Sequence, residues 1–348
     1  MMQQPLQSKI KDFCQLPQRG SLGVTYSSVL HTPTYILKII EEEVKNMSWF
    51  WFSIIALLCW SGSDFFSKIG CRDAEDKYSQ FKMVTAVGVV MGLHAAYEIF
   101  VGGVEISWEV IWTYLPVSLL YISSMTLGYV VLRYIELSIS SPICNASGAL
   151  VAIIAILSGT AEPMAGAQYL AIALACIGVI GLGFVEANED EELRAARQEE
   201  SNYKYAKSWL ALALPLAYCL LDAAGTFADD LILETLNEDS ANVAYELTFL
   251  VAGIACFVYT CIIKKQKLLP KREAPKYIGA CFETAGQLAY IYALASGESA
   301  LAAPIIASYC MASVLWSRLF LKEKLSWKHY ACILVTFTGI VIMGVYDM

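Results

Sequence analysis

The sequence predicts an all-α polytopic membrane protein, with ten transmembrane helices arranged as two inverted five-helix repeats. Three observations carry that expectation. The chain is too apolar for ordinary soluble domains, with 57% hydrophobic and 16% charged residues over 348 positions and a mean hydropathy of +0.53. Its apolar residues fall into ten long blocks separated by charged ones. The chain also echoes itself, most plainly in "ELSISSPICNAS" from Glu136 and "ESALAAPIIAS" from Glu298.

A bilayer core about 30 Å thick takes roughly 20 apolar residues of helix to cross. The blocks run approximately over 49–69, 81–102, 109–132, 139–158, 166–186, 208–231, 242–263, 277–296, 300–320 and 327–346. Gly, Pro or a lone acid interrupts several of them, which membrane helices tolerate when they pack around a cavity. Buried helices of a soluble protein would instead show charged outer stripes. The expected solvent is therefore the lipid bilayer, and the expected location the cell (plasma) membrane as an integral, multi-pass protein.

Four regions follow from this pattern: a non-membrane N-terminal extension over 1–46, a first repeat over 47–186, an acidic linker over 187–206 and a second repeat over 207–348. The extension has no apolar run of spanning length and no hydrophobic block followed by a small-residue cleavage site, so a secretory signal peptide is not expected. An amphipathic surface helix near Tyr35 to Val44 fits its composition, and a disordered tail ahead of the membrane-protein start at Met47 fits it equally well. "EANEDEELRAARQEE" reads as a solvated connection.

Catalysis has little to stand on. The eleven cysteines are scattered, with no CxxC pair, and read as small apolar packing residues. There are three histidines, no HExxH and no glycine-rich phosphate loop, so no enzyme activity, catalytic residue, metal or cofactor is expected. A net charge of −8 argues against nucleic acid as a partner.

The repeat extends well beyond the opening echo. Trp60 and Asp64 match Tyr218 and Asp222 at an offset of 158. Glu136 and Pro142 match Glu298 and Pro304 at an offset of 162. Glu162, Tyr169, Ile172, Gly178 and Gly183 match Glu323, Tyr330, Ile333, Gly339 and Gly344 at an offset of 161. Each half then holds five spans, and a unit with an odd number of crossings is inverted when repeated. Inverted halves around a midplane site are a recurrent plan of secondary transporters.

On these residues the chain resembles the drug/metabolite transporter superfamily in its EamA branch. The resemblance covers about residues 47–347 and rests on the two Pro-Ile blocks and on "GTAEPMAGAQYLAIALACIGVIGLG" and "LKEKLSWKHYACILVTFTGIVIMG". It implies ten helices, two five-helix repeats and transport of small metabolites, without fixing which.

Pro142 and Pro304 suit the first turn of spans four and nine, where a missing N–H costs nothing. Glu136 and Glu298 cap helix ends or hold tight turns more readily than they bind substrate. Acids within spans are more informative, because a charge in hydrocarbon faces a partner or a wet cavity. Asp222 lies near the middle of span six and Glu283 near the front of span eight, followed by Gln287, Tyr290 and Tyr292. With Trp60, Asn145 and Ser147, and with Ser308 and Tyr309, they are candidates to line a polar centre. Asp64 is a candidate too, although its spacing from Lys68 also suits an interfacial ion pair.

A carboxyl in such a place resists ionisation and can exchange a proton as substrate comes and goes, so protons are an expected coupling partner. It could equally contact a cationic group on an amine or amino acid. Lys and Arg crowd the loops after odd-numbered spans, the only others being five in the extension. Taken alone, that count puts both termini outside, whereas the resemblance puts them inside. The expected function is secondary transport of a small organic solute by alternating access. The alternatives are a structural or regulatory membrane protein that keeps the fold without transport, and a membrane-embedded enzyme, for which no reactive cluster is visible. A homodimer is compatible with either membrane role.

Overall fold

The computed structural model describes residues 48–71, 73, 75–134, 144–159, 161, 163–188, 210–296, 299–320 and 326–347. All belong to the second of two compact units, residues 48–348. Among the described residues there is no strand. The N-terminal extension, most of the linker, and Glu136, Pro142, Glu162, Glu298 and Glu323 lie outside them.

The first half supplies α1 (Trp49–Cys71), α2 (Ser79–Tyr97), α3 (Trp108–Tyr134), α4 (Ser147–Ser158) and α5 (Gly166–Ala187). The second supplies α6 (Leu210–Leu233), α7 (Glu238–Phe257), α8 (Pro270–Ser296), α9 (Ser299–Ala307), α10 (Tyr309–Phe320) and α11 (Trp327–Asp347). Both α2 and α7 run on into a wider π-turn, Glu98–Gly102 and Val258–Ile263. Gly103, at φ 75°, ends the first of these in the left-handed region open to glycine. Asn237 starts α7, its side chain accepting from the backbone N–H groups of Asp239 and Ser240 at 3.1 and 3.2 Å. Glu238 and Asp239 then sit in the first turn, where the helix dipole favours acids.

Six helical stretches among the described residues are long and apolar enough to cross a membrane: Trp49–Cys71, Ser79–Gly102, Trp108–Arg133, Glu238–Ile263, Ser299–Trp316 and Trp327–Val345. Ser147–Ser158 and Gly166–Leu182 are apolar but shorter. The remaining long helices carry charge: Asp222, Asp229 and Asp230 in α6, and Lys271, Arg272, Glu273, Lys276 and Glu283 in α8. Large apolar side chains such as Leu93, Leu157, Ile177, Val251 and Leu334 point outward. Apolar surface on this scale is unstable against water and suits lipid. The chain is an integral, multi-pass membrane protein.

Pro304 departs from the expected first turn. It is the sixth residue of α9, where it has no N–H for the carbonyl of Ala300, and the helix breaks four residues on. At the break Ser308 N–H donates to the Ile305 carbonyl at 3.1 Å, and Ser308 Oγ donates to the Pro304 carbonyl at 2.7 Å.

Contacts between the halves follow a pattern. α1 packs chiefly on α8 and α3 on α6, while α2 meets α7, α4 meets α9 and α5 meets α11. A Cβ placed on Gly286 would strike the Trp60 ring, and one on Gly128 the Tyr218 ring; the two pairs are related by the offset of 158. Likewise Gly279 abuts Ser67, and Gly225 abuts Tyr121. Gly178 lies against Cys332 and Thr336, and Gly339 against Ala171 and Ala175, which reproduces the same spacing from either side. Gly88 and Gly253 face each other backbone to backbone, and small residues allow helices such close approach. Residue numbers rise along α1 as they fall along α8, from the stacked Phe52 and Tyr292 rings to Gly70 beside Lys276. The two helices are antiparallel.

The ends of the bundle are tied differently. At one end Lys82 Nζ reaches Asp76 at 3.0 Å and Glu273 at 3.4 Å, and Lys276 Nζ reaches the same two acids at 3.4 and 2.9 Å. All four side chains are buried, closing a ring of alternating charge, and Arg133 donates to the Asp76 carbonyl and to Ser79 Oγ. Burial alone would raise the Asp76 carboxyl; the hydrogen bond from Lys82 and the charges of Lys276 and Lys82 outweigh it and hold that carboxyl below its ordinary range. At the other end Ser240 Oγ donates to the Glu105 carbonyl at 3.2 Å.

Candidate functional site

Where α1 crosses α8 and α3 crosses α6, the helices leave a cavity of about 100 Å³. By the volume one water needs, this is room for several waters or a small solute. Side chains related by the 158-residue offset line it from α1 and α6. Asp64 of α1 and Asp222 of α6 both line the cavity, as do their neighbours one turn earlier, Trp60 and Tyr218.

Equivalence ends at the other two walls. Glu283 and Gln287 on α8 line the cavity, and the equivalent positions on α3 are Met125 and Tyr129. One wall therefore offers a carboxylate and an amide, and the opposite one a thioether and a phenol. Ser63 Oγ donates to Glu283 Oε2 at 2.7 Å, and Gln287, 3% exposed, has no partner for Nε2.

Aromatic rings complete the enclosure. Tyr245 of α7 and Tyr309, at the start of α10, also line the cavity. The Trp60 ring lies 5.1 Å from that of Tyr290 and 6.3 Å from that of Tyr309, and the Tyr121 ring 6.0 Å from that of Tyr245. Tyr121 and Tyr290 share a hydroxyl–hydroxyl contact, and Tyr121 also donates to Thr226 Oγ1 at 3.1 Å. A smaller adjoining recess, shared by Trp60, Tyr121, Asp222 and Tyr309, adds Ser147, Thr226 and Tyr290. Beyond it Tyr114 donates to the buried Asp229 at 2.7 Å.

The structure thus brings Trp60, Asp64, Asn145, Asp222, Glu283, Gln287 and Tyr309 to one cavity. Tyr290 stands in the adjoining recess. Ser308 lines neither: its hydroxyl returns to its own helix at the break. Tyr292 bonds Asp239 away from both. Asp64, whose spacing from Lys68 also suits an interfacial pair, faces the cavity. Ser63, Tyr121, Tyr129 and Tyr245 are not singled out by the sequence. Tyr121, Met125, Gly128, Tyr129 and Leu132 recur at helical spacing, the one signal that marks them as a common face of α3.

Fold and cavity together define a helical membrane protein that encloses a polar, aromatic-lined chamber between its two halves. The EamA-like transporter family model matches residues 210–345, within the second half of the chain. No curated protein matches the chain. Among solved structures 27 chains match, one of them a crystal structure described only as that of a protein. It superposes with a TM-score of 0.59 at 12% identity, over 86% of this chain and 97% of the other, a likeness of fold alone.

Proposed function

We propose that the protein is a secondary transporter that carries a small organic metabolite across the cell membrane by alternating access. In this reading ten spans form two five-helix repeats of opposite orientation, and the solute binds between them. The equivalent contacts of Trp60 with Gly286 and of Tyr218 with Gly128 support two like halves. Opposite orientation is supported by the loops: the one after α1 joins the start of α8 through Asp73 and Arg272 at 2.9 Å, while the one after α2 meets the start of α7. In this reading, loops that correspond in the two halves lie at opposite ends.

The observation that carries the reading is the cavity at the crossing of the halves, lined by the equivalent acids Asp64 and Asp222. Buried acids in a membrane protein mark substrate or proton pathways. A dry, packed centre would instead have favoured a structural role. Asp222 and Glu283 would exchange a proton for the solute, with Trp60, Tyr290 and Tyr309 shaping the chamber. The test is uptake by proteoliposomes of a panel of metabolites, with and without a proton gradient. Saturable uptake of at least one solute above that of empty liposomes is expected. A protein-independent rate for the whole panel overturns the proposal.

A further inference from the structure

We infer that the chamber takes a small organic cation, an amine or quaternary ammonium ion that also carries an oxygen able to accept a hydrogen bond. This deepens the transport reading and rests on it for the solute's role. Three carboxylates, Asp64, Asp222 and Glu283, line the cavity, and none of its described lining residues is Lys, Arg or His. Lys68, one turn beyond Asp64, attracts that acid, whereas Lys82 and Lys276 are tied to Asp76 and Glu273 at the bundle end. Arg133 is fixed to the Asp76 carbonyl and Ser79. Asp222 and Glu283 thus face the chamber with no lysine or arginine on its described wall.

Two independent features say what would answer them. The enclosing rings of Trp60, Tyr129, Tyr218, Tyr245 and Tyr309 are the surroundings in which an alkylammonium group gains cation–π attraction without a hydration shell. Gln287, almost wholly shielded and without a partner for its Nε2, supplies a donor that a purely hydrocarbon cation would leave unused. It follows Glu283 by one helical turn, about 6 Å along the axis. A cation seated at Glu283 with its oxygen toward Gln287 would satisfy both. Met125 and Tyr129 on the facing wall offer a thioether and an aromatic ring to the solute's carbon frame, with the Tyr129 hydroxyl, itself without a partner, as a further polar contact.

The test is calorimetric binding to the full chain in lipid nanodiscs, with probes of one shape and differing charge. These are choline, its neutral carbon isostere 3,3-dimethylbutan-1-ol and the zwitterion trimethylglycine, together with tyramine and its neutral analogue 4-propylphenol. Choline or tyramine should bind at least tenfold more tightly than its neutral analogue, and trimethylglycine more weakly than choline. Asp222→Asn and Glu283→Gln should each weaken the cation by about tenfold. Gln287→Leu should weaken choline several-fold and leave tetramethylammonium unchanged. The inference is overturned if neither cation binds, if the neutral analogues bind as well, or if the zwitterion binds best. The wild-type series decides even where a variant does not fold. Uptake of a neutral or anionic solute would remove the cation and leave transport standing, whereas cation binding without any uptake would remove transport and leave the cation site.

Discussion

The hydroxyl of Ser63 donates to Glu283 Oε2 at 2.7 Å and so joins α1 of the first half to α8 of the second at the cavity wall. A buried hydrogen bond of this kind contributes about 0.5–1.5 kcal/mol net. Because it spans the two halves, any rocking of one against the other alters it. Ser63→Ala should slow uptake roughly tenfold, the equivalent of about 1.4 kcal/mol, while the protein still folds. Initial uptake rates with folded protein matched by gel filtration would show it, and an unchanged rate would detach this contact from the working cycle.

Asp64 and Asp222 occupy equivalent places, so both are expected to take part in the cycle. Asp64→Asn and Asp222→Asn should each reduce uptake at least about tenfold, and Asp222→Asn should abolish its dependence on a proton gradient. Wild-type uptake and gradient response in Asp222→Asn would reassign the coupling.

The seam between α5 and α11 depends on two glycines. A Cβ at Gly178 would come within 2.8 Å of the Thr336 nitrogen, and one at Gly339 within 2.9 Å of the Ala175 nitrogen. Backbone cannot yield as a side chain can, and overpacking costs about 1–3 kcal/mol or more. Gly178→Val and Gly339→Val should each lower the melting temperature in detergent, whereas Gly166→Ala, which opens onto free space, should leave it unchanged.

The charged ring at the bundle end makes a separate claim. Asp76→Asn leaves Lys82 and Lys276 short of a counter-charge, and removing one partner of a buried pair costs about 3–5 kcal/mol. The Asp76 carboxyl lies below its ordinary value of 3.8 in the folded chain, so its contribution is complete above that value and is lost as pH falls through the lower, folded one. Thermal unfolding followed from pH 7 downward should show a loss below about pH 4 that is missing in Asp76→Asn.

Much of this is legible in the residues themselves. Asp222 and Glu283 stand out because an acid in an apolar block is costly unless it meets a partner or a wet cavity, and the 158-residue offset already pairs Trp60 with Tyr218. Tyr121, Tyr129 and Tyr245 do not stand out, since an aromatic ring in an apolar helix looks the same facing lipid or facing a chamber. Ser308 misleads for a related reason. A hydroxyl within a span can serve the solute or simply satisfy a carbonyl left over at a helix break, and here it takes the Pro304 carbonyl. The ring of Asp76, Lys82, Glu273 and Lys276 joins residues nearly 200 positions apart, which no local pattern announces.

The central claim, two like halves set in opposite senses about a common chamber, is tested most directly by sidedness. In a protein freed of its native cysteines, single cysteines would replace Glu75, exposed after α1, and Thr235, exposed after α6. Labelling by a membrane-impermeant maleimide in sealed, oriented vesicles should reach the two from opposite faces. If both react from the same face, the halves run in the same sense and the account is wrong.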